Sequence, residues 1–230
     1  MRRLTRALVG ILVVTAMLLG AVAIAQGATT LTLTSTRSSV VYPQMTWLKL
    51  LSADGTMPVA ARVMIQYRPI GTATWRNLRA ISASRTAEGT VTIPVGPVIL
   101  RSITGFRAVA TGLESEVTTV AVKARLSRPV APRVIRAKRY VTVRGFIWPR
   151  HAVGTRPVEV TVWKWDGTTW VEMAKLHPKI VGRVLNGAKW QFKRWVSADD
   201  VGRWRLQVSH EDTAHAASVS PFGYIKVKAR

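Results

Sequence analysis

Residues 158–170 read VEVTVWKWDGTTW. Val158, Val160 and Val162 alternate with Glu159 and Thr161, and a period of two marks an extended strand with one face in a core and the other in water. Asp166-Gly167 follows as a two-residue hairpin signal, because such a turn needs positive φ, which Gly takes freely and Asp tolerates. Trp170 then opens a returning strand. The spacing predicts Val158, Val160 and Val162 inward, and Trp163 and Trp165 outward with Glu159 and Thr161.

The same pattern stands once before. Val63, Ile65 and Tyr67 alternate ahead of Pro69-Ile70-Gly71 and Trp75, and the interval from Tyr67 to Trp75 equals that from Val162 to Trp170. Phe106, Ala108 and Ala110 echo Trp204, Leu206 and Val208, and Val120, Val122 and Lys123 echo Ile225, Val227 and Lys228. The repeat is about 100 residues long, the size of an immunoglobulin-like sandwich, and its offset drifts as loops of the second copy gain residues. The fold class expected is all-β, two tandem immunoglobulin-like antiparallel β-sandwich domains after an N-terminal hydrophobic signal helix. The echoing aromatics Trp75, Phe106, Trp170 and Trp204 are expected to fill the space between sheets. Arg128-Pro129-Val130-Ala131-Pro132-Arg133 is a proline-punctuated link, which suggests an extended pair over a fused barrel. The boundaries are 1–28 for the leader, 29–127 for the first domain, 128–133 for the linker and 134–230 for the second domain.

The N-terminus sets the compartment. Arg2, Arg3 and Arg6 precede an uncharged run from Ala7 to Ala25, a positive n-region and an apolar h-region. Ala23-Ile24-Ala25 offers the small residues that a signal peptidase reads, with Gly27 or Ala28 as later cleavage options. The run is also long enough to span a bilayer, so the segment is either a cleaved signal peptide or an uncleaved anchor. In both cases the positive-inside bias keeps the arginines in the cytoplasm and sends the rest of the chain out. The expected location is extracellular or at the cell surface, with membrane contact only through this segment if it is uncleaved.

The 230 residues carry 34 Lys and Arg against 11 Asp and Glu, a formal charge of +23, and no cysteine. Disulfides, metal-thiolate sites and cysteine nucleophiles are thereby excluded. The charge favours anionic partners by long-range attraction without naming the anion. Anionic envelope polymers, glycans or another surface protein fit an exported chain; a compositional bias toward Arg accounts for the same balance with no partner at all. The stretch "KWQFKRWV" has the composition of a nucleic-acid groove, but export argues against a dedicated nucleic-acid duty. Its alternation turns Trp190, Phe192 and Val196 inward, with Lys193 outward and Arg194 awkwardly inward.

No motif carries catalysis. His210-Glu211-Asp212-Thr213-Ala214-His215 resembles a metalloprotease signature but separates its histidines by five positions, not the four that place both on one helical face. It reads as an interstrand turn. His151 and His177 stand beside prolines with no partner nearby in sequence. Glu114 with Glu116, and Asp199 with Asp200, are close acidic pairs without an apposed carboxylate. No catalytic, cofactor-binding or metal residue is expected, and no cofactor. The one candidate ligand contact is the outward pair Trp163 and Trp165, able to stack on sugar rings or pack on a protein unless the loop 177–189 covers it.

Two further stretches carry a resemblance. "KRYVTVRGFIWPRHAVGTRPVEV", "GRWRLQVSHEDTAHAAS" and "YIKVK" resemble a repeat near the C-termini of secreted and surface proteins of actinobacteria. "VMIQYRPIGTATWRNL" and "GFRAVATGLESEVTTVAVKA" are similar to bacterial immunoglobulin-like modules that precede it. The resemblance implies extracellular spacer or adhesion modules with no catalytic residues, and Trp163-Lys164-Trp165 is unusually aromatic for it. The function expected is a non-enzymatic exported cell-envelope structural or adhesion module. A carbohydrate-binding module using Trp163 and Trp165 is the alternative. A third reading, a hydrolase without recognisable motifs, would need a pocket of converging polar groups.

Overall fold

The computed structural model describes residues 30–53, 60–84, 91–110 and 112–229. The segment read as a signal peptide or anchor lies outside the described residues. Ten strands precede the 128–133 link: β1 (Thr30–Ser35), β2 (Ser39–Val41), β3 (Met45–Ala53), β4 (Ala60–Pro69), β5 (Arg76–Ser84), β6 (Val91–Ile99), β7 (Thr104–Ala110), β8 (Leu113–Glu114), β9 (Thr118–Lys123) and β10 (Arg125–Leu126). Nine follow it: β11 (Val134–Arg136), β12 (Arg139–Trp148), β13 (Glu159–Trp165), β14 (Trp170–Leu176), β15 (Lys179–Val184), β16 (Gly187–Val196), β17 (Gly202–Asp212), β18 (His215–Val219) and β19 (Gly223–Lys228). A single 3-10 turn, Ala198–Asp200, joins β16 to β17. The protein is all-β, its curled sheets stacked in the manner of a β-sandwich.

Two cores organise it. In the first half β1, β3 and β6 form one sheet, while β5, β4, β7 and β9 form another with β2 and β8 at its margins. Leu48, Leu50, Val63, Ile65, Phe106 and Val120 from these strands are all fully or almost fully buried together. In the second half β10, β12, β16 and β15 line up in one sheet, and β14, β13, β17, β19 and β11 in the other. Val143, Ile147, Val160, Ile180, Trp190 and Val208 fill the space they enclose. Each such side chain contributes roughly 1.5–3 kcal/mol by leaving water, which is what fixes the register of these alternating strands. The pairings are antiparallel apart from β2 with β9, β11 with β19 and a single β18–β9 bridge.

The inward residues read from the alternation are inward. Trp190 shows why its neighbour is a glycine: Gly145 lies opposite it in the β12–β16 register, and a Cβ there would come within 2.2 Å of the indole. Only a residue without a side chain lets the ring lie across the strand. Arg194 does turn toward the interior, but at the end of the sandwich, its guanidinium 6.0 Å from the centre of the Trp204 ring. Lys193 faces outward over Tyr140.

Two expectations need correction. Trp170 and Trp75 are not core residues: both are half-buried on outer sheet faces, whereas Phe106 and Trp204 are buried as expected. The Asp166-Gly167 turn is a four-residue loop, Asp166–Thr169, in which the Asp166 carboxylate accepts from the amides of Thr168 and Thr169 and Gly167 takes a φ of +116°. The segment 128–133 is itself hydrogen-bonded to the second half. Val130 and Arg144 exchange both backbone hydrogen bonds, β10 pairs with β12, and the Ile103 amide donates to the Ala214 carbonyl across the junction. The proline-rich link thus runs along the second half and pins the first against it.

Candidate functional site

The outer face of the β14–β13–β17–β19 sheet is where aromatic and cationic side chains gather. The register sets Trp163 opposite Arg205, Arg205 opposite Tyr224, and Trp165 opposite Trp170. Directly opposed residues in antiparallel strands share a face, so these five side chains stand together. The Arg205 guanidinium carbon lies 5.0 Å from the Trp163 ring, 4.9 Å from Trp170 and 4.6 Å from Phe222. Trp163 meets Phe222 edge to face at 5.8 Å, and Trp165 lies 5.3 Å from Trp170. Each cation–ring contact of this kind is worth on the order of 0.5–2 kcal/mol, the more so where water is excluded.

Trp163 and Trp165 are therefore outward but half-buried, and they are held by Arg205, Phe222 and Trp170. The 177–189 stretch does not cover them; it contributes β15 to the opposite sheet. What it leaves open lies one strand further on. Trp170 and Tyr224, 6.2 Å apart, open onto a groove of about 650 Å³. Its other wall is the link, through Arg128, Pro129 and Arg133, and its rim includes Arg203 and Lys226. Tyr224 is 59% exposed, so its ring is available from solvent. Among the described residues no acidic one lines the groove, and a volume of this order suits a segment of an extended ligand. Gly223 lets the link come this close, since a Cβ there would sit 2.6 Å from the Pro129 carbonyl oxygen. The sequence reading missed this groove. It singled out Trp163 and Trp165, which stand beside Trp170 on the same face, and drew nothing from Arg128 and Arg133 of the link.

A second constellation forms at the junction of the two halves. His210 and Asp212 at the end of β17 meet His215 at the start of β18 and His151 from the loop after β12. The sequence reading set the first three aside as a turn and treated His151 as isolated. The structure brings one potential ligand atom from each of the four within 4.8 Å of all the others. His210 is fully buried and His215 nearly so. Burial, followed by the nearby His210 and His215, lowers the pKa of His151 to about 4, with only Asp212 opposing, so His151 is neutral at ordinary pH. Burial raises the Asp212 carboxyl, but the Ala214 amide and the His215 ring outweigh it and hold the group below its ordinary value. His177 lies elsewhere, 3.8 Å from the Glu159 carboxylate. Glu114 pairs with Arg107, and Asp200 caps its own turn through Ser197, so neither acidic pair forms an acid and base across a cleft.

No protein-family model matches the chain, and no curated protein is similar to it at a significant level. Among solved structures, the crystal structure of red sea bream transglutaminase superposes with a TM-score of 0.38 at 11% identity, over 88% of this chain. The chain spans 31% of that protein's length, and a superposition this loose carries no argument about fold or activity.

Proposed function

We propose that the protein is a non-enzymatic, exported cell-envelope module, two tandem immunoglobulin-like sandwiches that hold anionic envelope polymers or glycans in the groove between Trp170, Tyr224 and the 128–133 link. The observation that carries the reading is the pairing of an open aromatic floor with a cationic rim free of acids. Rings stack on the apolar faces of sugars, while Arg128, Arg133, Arg203 and Lys226 meet phosphates or carboxylates spaced along a chain. Neither interaction needs a polar group poised for proton transfer, which is why the role is one of holding. The leader read in the first residues supplies export.

The test is direct titration of the full chain with a teichoic-type polymer and with an acidic polysaccharide at two salt concentrations. Binding should weaken as salt rises, because charge contacts are screened, and Trp170→Ala or Arg203→Ala should each weaken it about tenfold. Loss of neither on substitution would overturn the assignment of the groove. A carbohydrate-binding module for neutral glycans is the second reading, favoured by the continuity of Trp163 and Trp165 with Trp170. It predicts salt-independent binding that survives Arg203→Ala and fails with Trp170→Ala.

A further inference from the structure

The His151, His210, Asp212 and His215 group turns several acceptor atoms toward one point, which calls for a shared cation or an added proton. His210 Nδ1 bonds to the Pro157 carbonyl and His215 Nε2 to the Arg101 carbonyl. A carbonyl oxygen can only accept, so both of those ring nitrogens carry the hydrogens. In that tautomer the opposite nitrogens, His210 Nε2 and His215 Nδ1, offer lone pairs. They lie 3.5 Å from one another. They also lie 3.4 Å and 2.9 Å from the two oxygens of the Asp212 carboxylate. His151 Nε2 is buried beside them with no hydrogen-bond partner. Electron pairs from a carboxylate and the imidazoles thus converge on one point, the arrangement that a single cation satisfies.

We infer that His151, His210, His215 and Asp212 form a binding site for a divalent transition metal of the zinc class, placed where the two halves of the protein meet. Three imidazoles and one carboxylate are a borderline, nitrogen-rich donor set that suits zinc and its neighbours and does not suit calcium or magnesium. The outer contacts are those that prepare a ligand: each of His210 and His215 is oriented by a backbone carbonyl on its far nitrogen. The carboxylate is oriented in turn by the amides of Ala214 and His215, which donate to its Oδ1 at 2.8 Å. In a tetrahedral zinc site the ligand atoms stand about 3.4 Å apart, so only the widest separations need to close. Four protein ligands leave no open position, so the metal is structural. The site is a clasp: His215 reaches the Arg101 carbonyl of the first half, and the adjacent Ala214 carbonyl accepts from Ile103.

The experiment strips the full chain with a chelator, titrates it with Zn²⁺ alone by calorimetry, and repeats the titration with Co²⁺ to read the ligand-field spectrum. One Zn²⁺ per chain, a raised melting temperature and an intense tetrahedral Co²⁺ band are the expected results. His151→Ala should weaken Zn²⁺ binding at least tenfold. Because its ring is only half-buried, that variant keeps the proposal testable if His210→Ala fails to fold. His177→Ala should leave binding unchanged. A folded, stripped protein that takes up no Zn²⁺ would overturn the inference and leave a proton shared by His215 and Asp212 in its place. So would stoichiometric binding that persists in His151→Ala and His215→Ala, or that disappears with His177→Ala.

Discussion

Both halves place an arginine over a tryptophan at the same point on an outer sheet face, and they treat it in opposite ways. Arg107 follows Phe106 on β7 and stands 4.4 Å from the Trp75 ring; Arg205 follows Trp204 on β17 and stands 4.9 Å from Trp170. In the first half the guanidinium is answered: it donates to Gln66 and to the Glu114 carboxylate, while Arg68 takes the other contact with Trp75. One ring lies among two cations and an acid. In the second half one cation lies among three rings, its Nε buried with no partner, and no carboxylate pairs with it among the described residues. The same pair of side chains thus has a carboxylate partner in one half and none among the described residues in the other. The two halves share this contact and differ in what surrounds it.

The most severe way to break the comparison acts behind the face. Gly145→Ala drives a methyl into Trp190 and should destabilise the second half by about 3 kcal/mol, through overpacking. Calorimetry should show one unfolding transition displaced downward while the first half's transition stays near its original temperature; an equal shift of the whole melt would mean that the two cores unfold as one. On the face itself, Arg205→Ala should lower stability by on the order of 1 kcal/mol and weaken polymer binding several-fold, because it releases Trp163, Trp170 and Phe222 together. Arg107→Ala should leave binding unchanged. A matching loss in the two variants would mean that the acid at Glu114 does not silence its half. Glu114→Gln sharpens the point from the other side: freeing Arg107 should raise binding less than threefold, and only at low salt.

The smallest effect concerns the hairpin that presents Trp165 and Trp170. The amides of Thr169 and Thr168, and then the Thr168 hydroxyl, hold the Asp166 carboxyl below its ordinary value. A carboxyl with a lowered folded pKa contributes stability that is present above its unfolded value and is lost as pH falls through the folded one. Amide exchange of the 166–169 turn should therefore quicken in acid in the native protein, and Asp166→Asn should flatten that dependence.

Much of this arrangement was legible in the sequence. Val158, Val160 and Val162, then Trp204, Leu206 and Val208, declare their inner face because a period of two is all that a half-buried strand needs to record. The position of Trp170 was misread through its echo with Trp75, although parity across the hairpin held the answer. A return of either two or four residues sets Trp170 opposite Trp163 or Trp165, and both of those lie outward. The groove was harder, since its wall is a link whose docking depends on the Val130–Arg144 bridge and on Gly223 making room. The histidines were beyond reach. His151 joins His210 and His215 only because two sheets curl to bring one strand's exit beside another's end, and no spacing along the chain encodes that meeting.

The segment that joins the halves also walls the groove, with the Pro129 carbonyl pressed on Gly223 and Val130 stitched to Arg144. The wall of the groove and the connection between the halves are therefore one and the same stretch of backbone. If the groove holds a polymer as proposed, a change at this seam would alter the groove's wall while leaving both cores intact.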